Sequence, residues 1–274
     1  MATRVTFIGA GNMASAIIGG MIDSGFSPSA ITATSPSDAF LAPVHERYGI
    51  HTNTDNVAAV AQADVVVLAV KPQIMKEVCE GLAGAVQRRR PLIISVAAGL
   101  DAATLETWLG GELPLVRCMP NTPALVGAGA SGLYANASVS DEQRRVATEL
   151  MEAVGLVEWV EDEVLLDAVT AVSGSGPAYF FLMFEAMEEA GVALGLPAET
   201  ARRLAMQTAF GAAKMAMASD KTPAELKRNV MSPGGTTERA VEHLEAAELR
   251  RILAEAMDAC AARAREMATE LGGR

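Results

Sequence analysis

The chain is poor in aromatic residues, histidine and cysteine, and each shortage excludes a class of protein. Aromatic residues make up 4% of the 274 positions, and there are three histidines and three cysteines. The cysteines lie far apart with no CxxC pair, so the sequence predicts no disulfide framework and favours free thiols in the reducing cytoplasm. Three dispersed histidines also argue against a catalytic zinc centre, a Ser-His-Asp triad or any other metal site.

Basic residues are scarce relative to acidic ones. Lysine and arginine number 22 against 33 aspartates and glutamates, which gives a formal net charge of −11. Nucleic-acid binding needs a basic face that displaces counterions, so no nucleic-acid partner is expected. The longest apolar stretch, residues 57–70, is interrupted by Gln62 and Asp64 and is too short to span a bilayer. Because a strand pattern begins at residue 4, no secretory signal is expected either.

The first 160 residues alternate between short apolar runs and helical segments. The predicted strands are residues 4–8, 31–34, 64–70, 91–96, 115–118 and 156–160, and the predicted helices between them include 13–23, 38–47 and 74–87. This alternation predicts an α/β fold with a mostly parallel sheet and crossover helices. From residue 163 onward only helical segments occur. The sequence therefore predicts a dinucleotide-binding domain over residues 1–163 and an all-helical domain over residues 164–274.

A glycine-rich turn, Gly9-Ala10-Gly11-Asn12-Met13-Ala14, follows the first strand and opens a helix. The first glycine permits the tight turn, and the second lets a pyrophosphate approach the positive end of the helix. Alanine is small enough for helix–strand packing at the third position. Because strand, turn, helix and next strand follow in order, a dinucleotide site is favoured over a plain strand–helix turn.

The end of the second predicted strand bears on the choice between NADPH and NADH. An acidic residue there would bind the ribose 2′-hydroxyl. The sequence instead has Ser35-Pro36-Ser37, whose hydroxyl and N–H groups suit a 2′-phosphate, although no arginine is adjacent. A plain turn is the alternative. NADPH is the predicted cofactor, with NADH possible.

Further polar loops follow the other predicted elements. Lys71, at the edge where a cofactor would lie, is either a cofactor contact or an ordinary surface lysine. Asn121, between two prolines, lies either near the nicotinamide or in a turn where it caps its own backbone. Ser173-Gly174-Ser175-Gly176-Pro177 must interrupt a helix. Gly234-Gly235-Thr236-Thr237 precedes a helix, and it is either a carboxylate-binding group of N–H donors or an inter-helix turn.

Three motifs together resemble those of the pyrroline-5-carboxylate reductases, the last enzymes of proline biosynthesis. They are Cys-Met-Pro-Asn-Thr-Pro, Val-Ser-Gly-Ser-Gly-Pro-Ala-Tyr and Ser-Pro-Gly-Gly-Thr-Thr, and the resemblance extends over nearly the whole chain. It implies NAD(P)H-dependent reduction of the cyclic imine 1-pyrroline-5-carboxylate to L-proline. It also implies a Rossmann-type domain, an all-α dimerisation and substrate-binding domain, and homodimers that often assemble into larger rings. The largely apolar segment 205–213 independently favours burial against a second chain.

Carried over to this chain, the resemblance places the substrate carboxylate on Ser232, Gly234 and Gly235. Thr237 is then the catalytic contact to the ring nitrogen, and Val230 borders the ring. Thr236 and Ser175 are expected in the same site. The expected cofactor-binding residues are Gly9, Gly11, Asn12, Met13, Ser35, Ser37, Asn56, Ala69, Val70, Lys71, Pro72 and Asn121.

Three alternatives fit less well. A β-hydroxyacid dehydrogenase needs a lysine one helical turn after its central glycine motif, whereas no lysine occurs between Gly176 and Lys214. A ketol-acid reductoisomerase needs a carboxylate cluster for two Mg²⁺ ions, and the helical part shows no such cluster. A non-catalytic NADP-binding module would have no need of the Ser-Pro-Gly-Gly-Thr-Thr loop.

Overall fold

In the computed structural model, which describes residues 3–272, the chain divides into two compact units. The first consists of the residues up to Ser175 together with those from Ala259 onward, and the second is Gly176–Asp258. The change from strands to helices near residue 163 marks the end of the sheet. As a domain boundary, residue 163 stays a prediction.

An eight-stranded sheet forms the centre of the first unit. Its strands are β1 (Val5–Ile8), β2 (Ile31–Thr34), β3 (His51–Asn53), β4 (Val65–Leu68), β5 (Leu92–Ser95), β6 (Leu115–Met119), β7 (Gly129–Ala135) and β8 (Gly155–Trp159). They lie in the order β3-β2-β1-β4-β5-β6-β7-β8. Only the β6–β7 pair is antiparallel among these neighbours. The predicted mostly parallel sheet is confirmed, and its first six strands have the Rossmann-type order.

Both faces of the sheet are covered, which explains the continuous apolar run in β4. Val65 and Val67 pack into one buried cluster with α1 (Asn12–Asp23), whereas Val66 and Leu68 pack into another on the opposite face. Alternate side chains of one strand thus enter two different cores, so no polar alternation appears in the sequence. The other helices of this unit are α2 (Asp38–Tyr48), α3 (Asn56–Val60), α4 (Pro72–Arg89), α5 (Ala102–Trp108), α6 (Asp141–Glu152) and α7 (Leu165–Val169).

The sequence patterns do not predict β3 or β7. The three residues of β3 are polar and mostly exposed at the sheet edge. β7 has the sequence Gly-Ala-Ser-Gly-Leu-Tyr-Ala, with no β-branched residue, yet it pairs with β6 on one side and β8 on the other. Its strand conformation follows from pairing with these neighbours rather than from intrinsic propensity.

The second unit is all-helical within the described residues, as predicted. It contains α8 (Gly176–Ala193), α9 (Ala198–Met217), α10 (Pro223–Asn229), α11 (Thr236–Ala246) and the start of α12 (Leu249–Gly272), whose residues from 259 onward belong to the first unit. Thr222 and Glu225 form a reciprocal capping box at the start of α10. None of the helices between residues 3 and 272 is both long and apolar enough to cross a membrane.

Candidate active site

The predicted cofactor-binding residues meet at the carboxyl edge of the parallel strands. β1 leads into Gly9, β2 into Ser35 and β4 into Ala69, and Asn121 follows β6 by two residues. The order of the strands reverses between β1 and β4. Open α/β sheets bind ligands in the crevice at such a reversal. The structure therefore brings these separate loops to one edge.

The two glycines of the β1–α1 turn are needed for different reasons. Gly9 has a φ of 109°, and a Cβ there would lie 2.7 Å from the carbonyl oxygen of Ala69, so the fold itself requires glycine. Gly11 has an ordinary φ of −78°, and a Cβ on it would meet no atom within 4 Å. Because nothing in the protein demands glycine at Gly11, the open space beside it fits a pyrophosphate that approaches the backbone.

The start of α1 offers donors for that anion. Gly11 is the N-cap, and no side chain caps the N-terminus of this 12-residue helix. The first N–H groups of a helix have no intrahelical partner and carry the positive end of its dipole. Asn12 is exposed and Met13 is partly buried beside these groups, whereas Ala14 is fully buried in the core.

Ser35 and Ser37 form a short, ordered turn after β2. Ser35 is buried, and its hydroxyl oxygen accepts a hydrogen bond from the Ser37 N–H at 3.4 Å. The Ser37 hydroxyl oxygen accepts from the Ala39 N–H at 3.3 Å as the N-cap of α2. Both hydroxyl protons therefore stay available to a ligand. Asp38 adds an exposed carboxylate in the first turn of α2.

The other cofactor candidates open helices. Asn56 is the first residue of α3, behind the N-cap Asp55. Lys71 is exposed at the N-cap position of α4, and Pro72 is the first residue of that helix. The side chain of Val70 lies beside Gly9, since a Cβ on that glycine would be 3.1 Å from it. The cofactor contacts of these residues stay predictions.

The side-chain amide of Asn121 has a structural role that its position in the sequence does not predict. Its Nδ2 donates to the carbonyl oxygen of Ser173 at 3.0 Å, and its Oδ1 accepts from the Ala130 N–H at 2.9 Å. The buried amide thus links the loop after β6 to β7 and to the turn before α8, rather than capping its own backbone. Because each end of the amide has a protein partner, the Asn121 side chain is held in place between these two elements.

A cavity of about 260 Å³ lies at the same edge, beyond β5 and β6. Its wall includes Ala97–Gly99, Arg117, Met119 and Ser175, together with residues of the second half of α12. Cys118 also lines it, and burial raises the pKa of the Cys118 thiol to about 12, so the thiol is neutral at physiological pH. The cavity offers a mixed apolar and polar wall for a small ring.

The predicted interruption of the helix near Ser173 is confirmed. A π-helical turn, Thr170–Gly174, separates α7 from α8. The Ser173 hydroxyl donates a hydrogen bond to the Val169 carbonyl oxygen at 3.0 Å, so it stabilises the π-helical turn in which it lies. The Ser175 hydroxyl lies 3.1 Å from the thiol of Cys260 on the cavity wall.

The predicted substrate-binding residues other than Ser175 lie in the second unit, in the loop and first turn between α10 and α11. Gly234 has a φ of 69°, and the Gly235 N–H donates to the carbonyl oxygen of Ser232 at 2.8 Å. Gly235 is the N-cap of α11 without a side-chain cap, and Thr236 and Thr237 form its exposed first turn. Val230 is also exposed at the end of α10.

Glu238 is a member of this loop that the sequence motifs do not single out. Its carboxylate accepts a hydrogen bond from the Gly234 N–H at 2.6 Å. A glutamate at the third position of a helix commonly reaches back to N–H groups before it, and this is the signal that could have identified it. One of the donors predicted for a substrate carboxylate thus already binds a carboxylate of the chain.

Helices α8 and α9 expose many large apolar side chains in the second unit. Phe180, Phe181 and Leu182 are each more than 60% exposed on α8, and so is Phe210 on α9. Patches of this kind on a single chain mark interaction surfaces.

As for metals, residues 3–272 contain no group of three or more His, Cys, Asp or Glu side chains that could hold an ion.

The chain is similar over almost all of its length to proteins of one kind. Residues 163–267 match a family model described as pyrroline-5-carboxylate reductase dimerisation, and residues 4–99 match one described as NADP oxidoreductase, coenzyme F420-dependent. A pyrroline-5-carboxylate reductase of Pseudomonas aeruginosa is 52% identical over 98% of both chains. The structure of one from Coxiella burnetii is 45% identical, with a TM-score of 0.94 over 97% of this chain and 99% of that one. The Plasmodium falciparum structure, solved with NADP bound, is 29% identical, with a TM-score of 0.85 over 97% and 98%.

Proposed function

Since the chain belongs to the pyrroline-5-carboxylate reductase family, we propose that it reduces the C=N bond of 1-pyrroline-5-carboxylate to give L-proline, with a nicotinamide dinucleotide at the carboxyl edge of its sheet. The observation that carries the proposal is the β1–α1 turn. Gly9 is demanded by the fold, whereas Gly11 leaves open space at the helix N-terminus. This turn lies at the edge of the sheet where the cavity also lies.

NADPH is the proposed cofactor, with NADH also accepted. The pyrophosphate would bind the N–H groups at the start of α1, and Ser35 and Ser37 would donate hydroxyl protons to the 2′-phosphate. Residues 34–39 contain no lysine or arginine, and Asp38 stands in the next helix turn. The preference for NADPH is therefore expected to be moderate.

The reduction depends on how the cofactor and the imine are positioned more than on a proton-donating side chain. When bound, the nicotinamide supplies a hydride to the imine carbon. The substrate carboxylate would bind at the loop of Ser232, Gly234 and Gly235, where the first N–H groups of α11 have no side-chain cap and the Gly234 N–H would exchange Glu238 for the substrate. The Thr237 hydroxyl would hydrogen-bond the ring nitrogen. That nitrogen arrives protonated or takes its proton from solvent, so neither a histidine nor a carboxylic acid is required. Positioning of this kind can lower a barrier by about 7–11 kcal/mol.

A homo-oligomer is the proposed state of the enzyme. The dimerisation family model covers residues 163–267, the part of the chain that includes the exposed apolar side chains of α8 and α9. Rings of dimers, which the resemblance implies, belong to the same proposal and would appear as multiples of the dimer mass. The three free cysteines agree with a cytoplasmic location.

The decisive experiment follows the oxidation of NADPH and of NADH by absorbance, with and without 1-pyrroline-5-carboxylate. We expect oxidation that depends on the imine, with a higher kcat/KM for NADPH than for NADH. A lack of imine-dependent oxidation with either cofactor would overturn the proposed function. A higher kcat/KM for NADH would overturn the cofactor assignment alone.

A further inference from the structure

We infer that Glu163 is a positioning residue, whose carboxylate holds the loop Ala97–Gly99 in the wall of the cavity at the carboxyl edge. The inference rests on the proposed function. Glu163 Oε1 accepts a hydrogen bond from the Ala102 N–H at 2.6 Å and another from Arg117 Nη1 at 2.9 Å. One oxygen atom therefore ties the segment after β8 to the start of α5 and to β6.

This ion pair differs from one on the open surface. The Arg117 side chain is 14% exposed and that of Glu163 is 25% exposed. Exposed ion pairs hold geometry weakly because water screens them and both side chains move. A largely buried, charge-assisted pair is stronger and more directional. Arg117 also lies on a strand that is paired on both sides, so the carboxylate is anchored to a rigid element.

The loop Ala97–Gly99 is fixed at two ends. Before it, the Val96 N–H donates a hydrogen bond at 3.1 Å to the carbonyl oxygen of Leu68, the last residue of β4. After it, Asp101 caps α5, and Glu163 binds the N–H of Ala102, the first residue of that helix. If the Glu163 oxygen is removed, the second end keeps the Asp101 cap and the buried side chains of Leu100 and Ala102, but the Ala102 N–H loses its bond to the segment after β8. We expect the loop to shift relative to β6 as a result.

A shift of this loop should act on the rate of reduction. Ala97–Gly99, Arg117 and Ser175 line the same cavity, so a displaced loop changes the shape of the carboxyl edge where the nicotinamide dinucleotide is proposed to bind. A displacement of about 1 Å at a reacting group can cost roughly 100-fold in rate. The phosphates of the dinucleotide, proposed to bind at β1 and β2, should keep their contacts.

The test compares two substitutions with a matched control. Glu163→Ala removes the acceptor for both donors, whereas Glu163→Gln keeps an oxygen atom there. Glu106→Ala is the control, because Glu106 is a partly buried carboxylate on the same helix α5, accepts from Asn136 Nδ2 at 2.8 Å and does not line the cavity. For each variant, kcat, the KM for the imine, the Kd of NADPH and the Tm are measured.

For Glu163→Ala we expect kcat to fall by about 10-fold or more with the Kd of NADPH within about twofold of its original value. Glu163→Gln should restore kcat to within about threefold. Glu106→Ala should lower the Tm and leave kcat unchanged. Where Glu163→Ala does not fold, Arg117→Lys serves instead, because it keeps the charge but changes the geometry of the donor. It should lower kcat with an unchanged Kd of NADPH.

The inference is overturned if Glu163→Ala keeps kcat within about twofold, if Glu163→Gln is as slow as Glu163→Ala, or if NADPH binding weakens as much as kcat falls. An unchanged kcat in Arg117→Lys overturns it as well. Failure of the unmodified enzyme to reduce the imine would instead refute the proposed function, so the two failures can be told apart.

Discussion

Replacing Thr237 by alanine tests the proposed substrate site most directly. Thr237 is the second residue of α11 and is exposed, while Gly235 occupies the N-cap position. Its hydroxyl therefore does not act as the N-cap of the helix. Because the substitution removes no cap and leaves no cavity, the free energy of unfolding should change by less than about 0.5 kcal/mol.

The expected effect on activity is much larger than the effect on stability. The hydroxyl is proposed to hydrogen-bond the imine nitrogen, whose charge changes during reduction. A hydrogen bond to a charged group contributes about 1.5–3 kcal/mol, which corresponds to a loss of roughly 10- to 150-fold. The loss should appear in kcat as well as in kcat/KM, because the bond matters most where the charge on nitrogen changes. The Kd of NADPH should not change.

The assay is steady-state turnover with varied imine at saturating NADPH, combined with a thermal melt. Thr200→Ala is the matched control, since Thr200 is another exposed threonine in the first turn of a helix, α9. It should leave kcat/KM unchanged. A Thr237→Ala enzyme with normal kcat/KM and a lowered Tm would show that Thr237 serves the helix and not the substrate, which would refute the assignment.

Four further outcomes are expected. Ser35→Asp should place a negative charge beside the 2′-phosphate and weaken NADPH binding by about 1 kcal/mol or more, with little change for NADH; equal NADPH affinities in a fluorescence titration would show that the phosphate lies elsewhere. Glu238→Ala frees the Gly234 N–H that Glu238 now occupies, so the KM for the imine should fall about threefold or more; an unchanged KM would mean that the substrate carboxylate does not need that N–H. Light scattering at micromolar concentration should give the mass of a dimer or a multiple of it, and a monomeric mass would contradict the proposed assembly. Because burial raises the pKa of the Cys79 and Cys118 thiols to about 12, a thiol reagent near neutral pH should label at most one cysteine per native chain, and labelling of all three would contradict the burial.

Features encoded by neighbouring residues could be predicted without coordinates. The glycine turn after β1 and the continuous apolar run of β4 are recognisable because turn and strand preferences act over a few residues. The capping box of Thr222 and Glu225 is likewise local, since both hydrogen bonds close within one helical turn. The parallel sheet then follows from the alternation of such elements, and it places the loops after β1, β2 and β4 at one edge.

The tertiary structure alone decided which side chains meet across the chain. Glu163 is 61 positions from Ala102 and 46 positions from Arg117. No local sequence pattern therefore predicts that one oxygen atom of Glu163 accepts a hydrogen bond from both residues. Asn121 is a similar case, because its amide joins β7 to the turn at Ser173 rather than its own backbone. The sequence by itself determined which groups the site can contain, because side-chain chemistry and short-range backbone preference belong to each residue. Their partners depend on how strands and helices pack, and packing is a property of the whole chain.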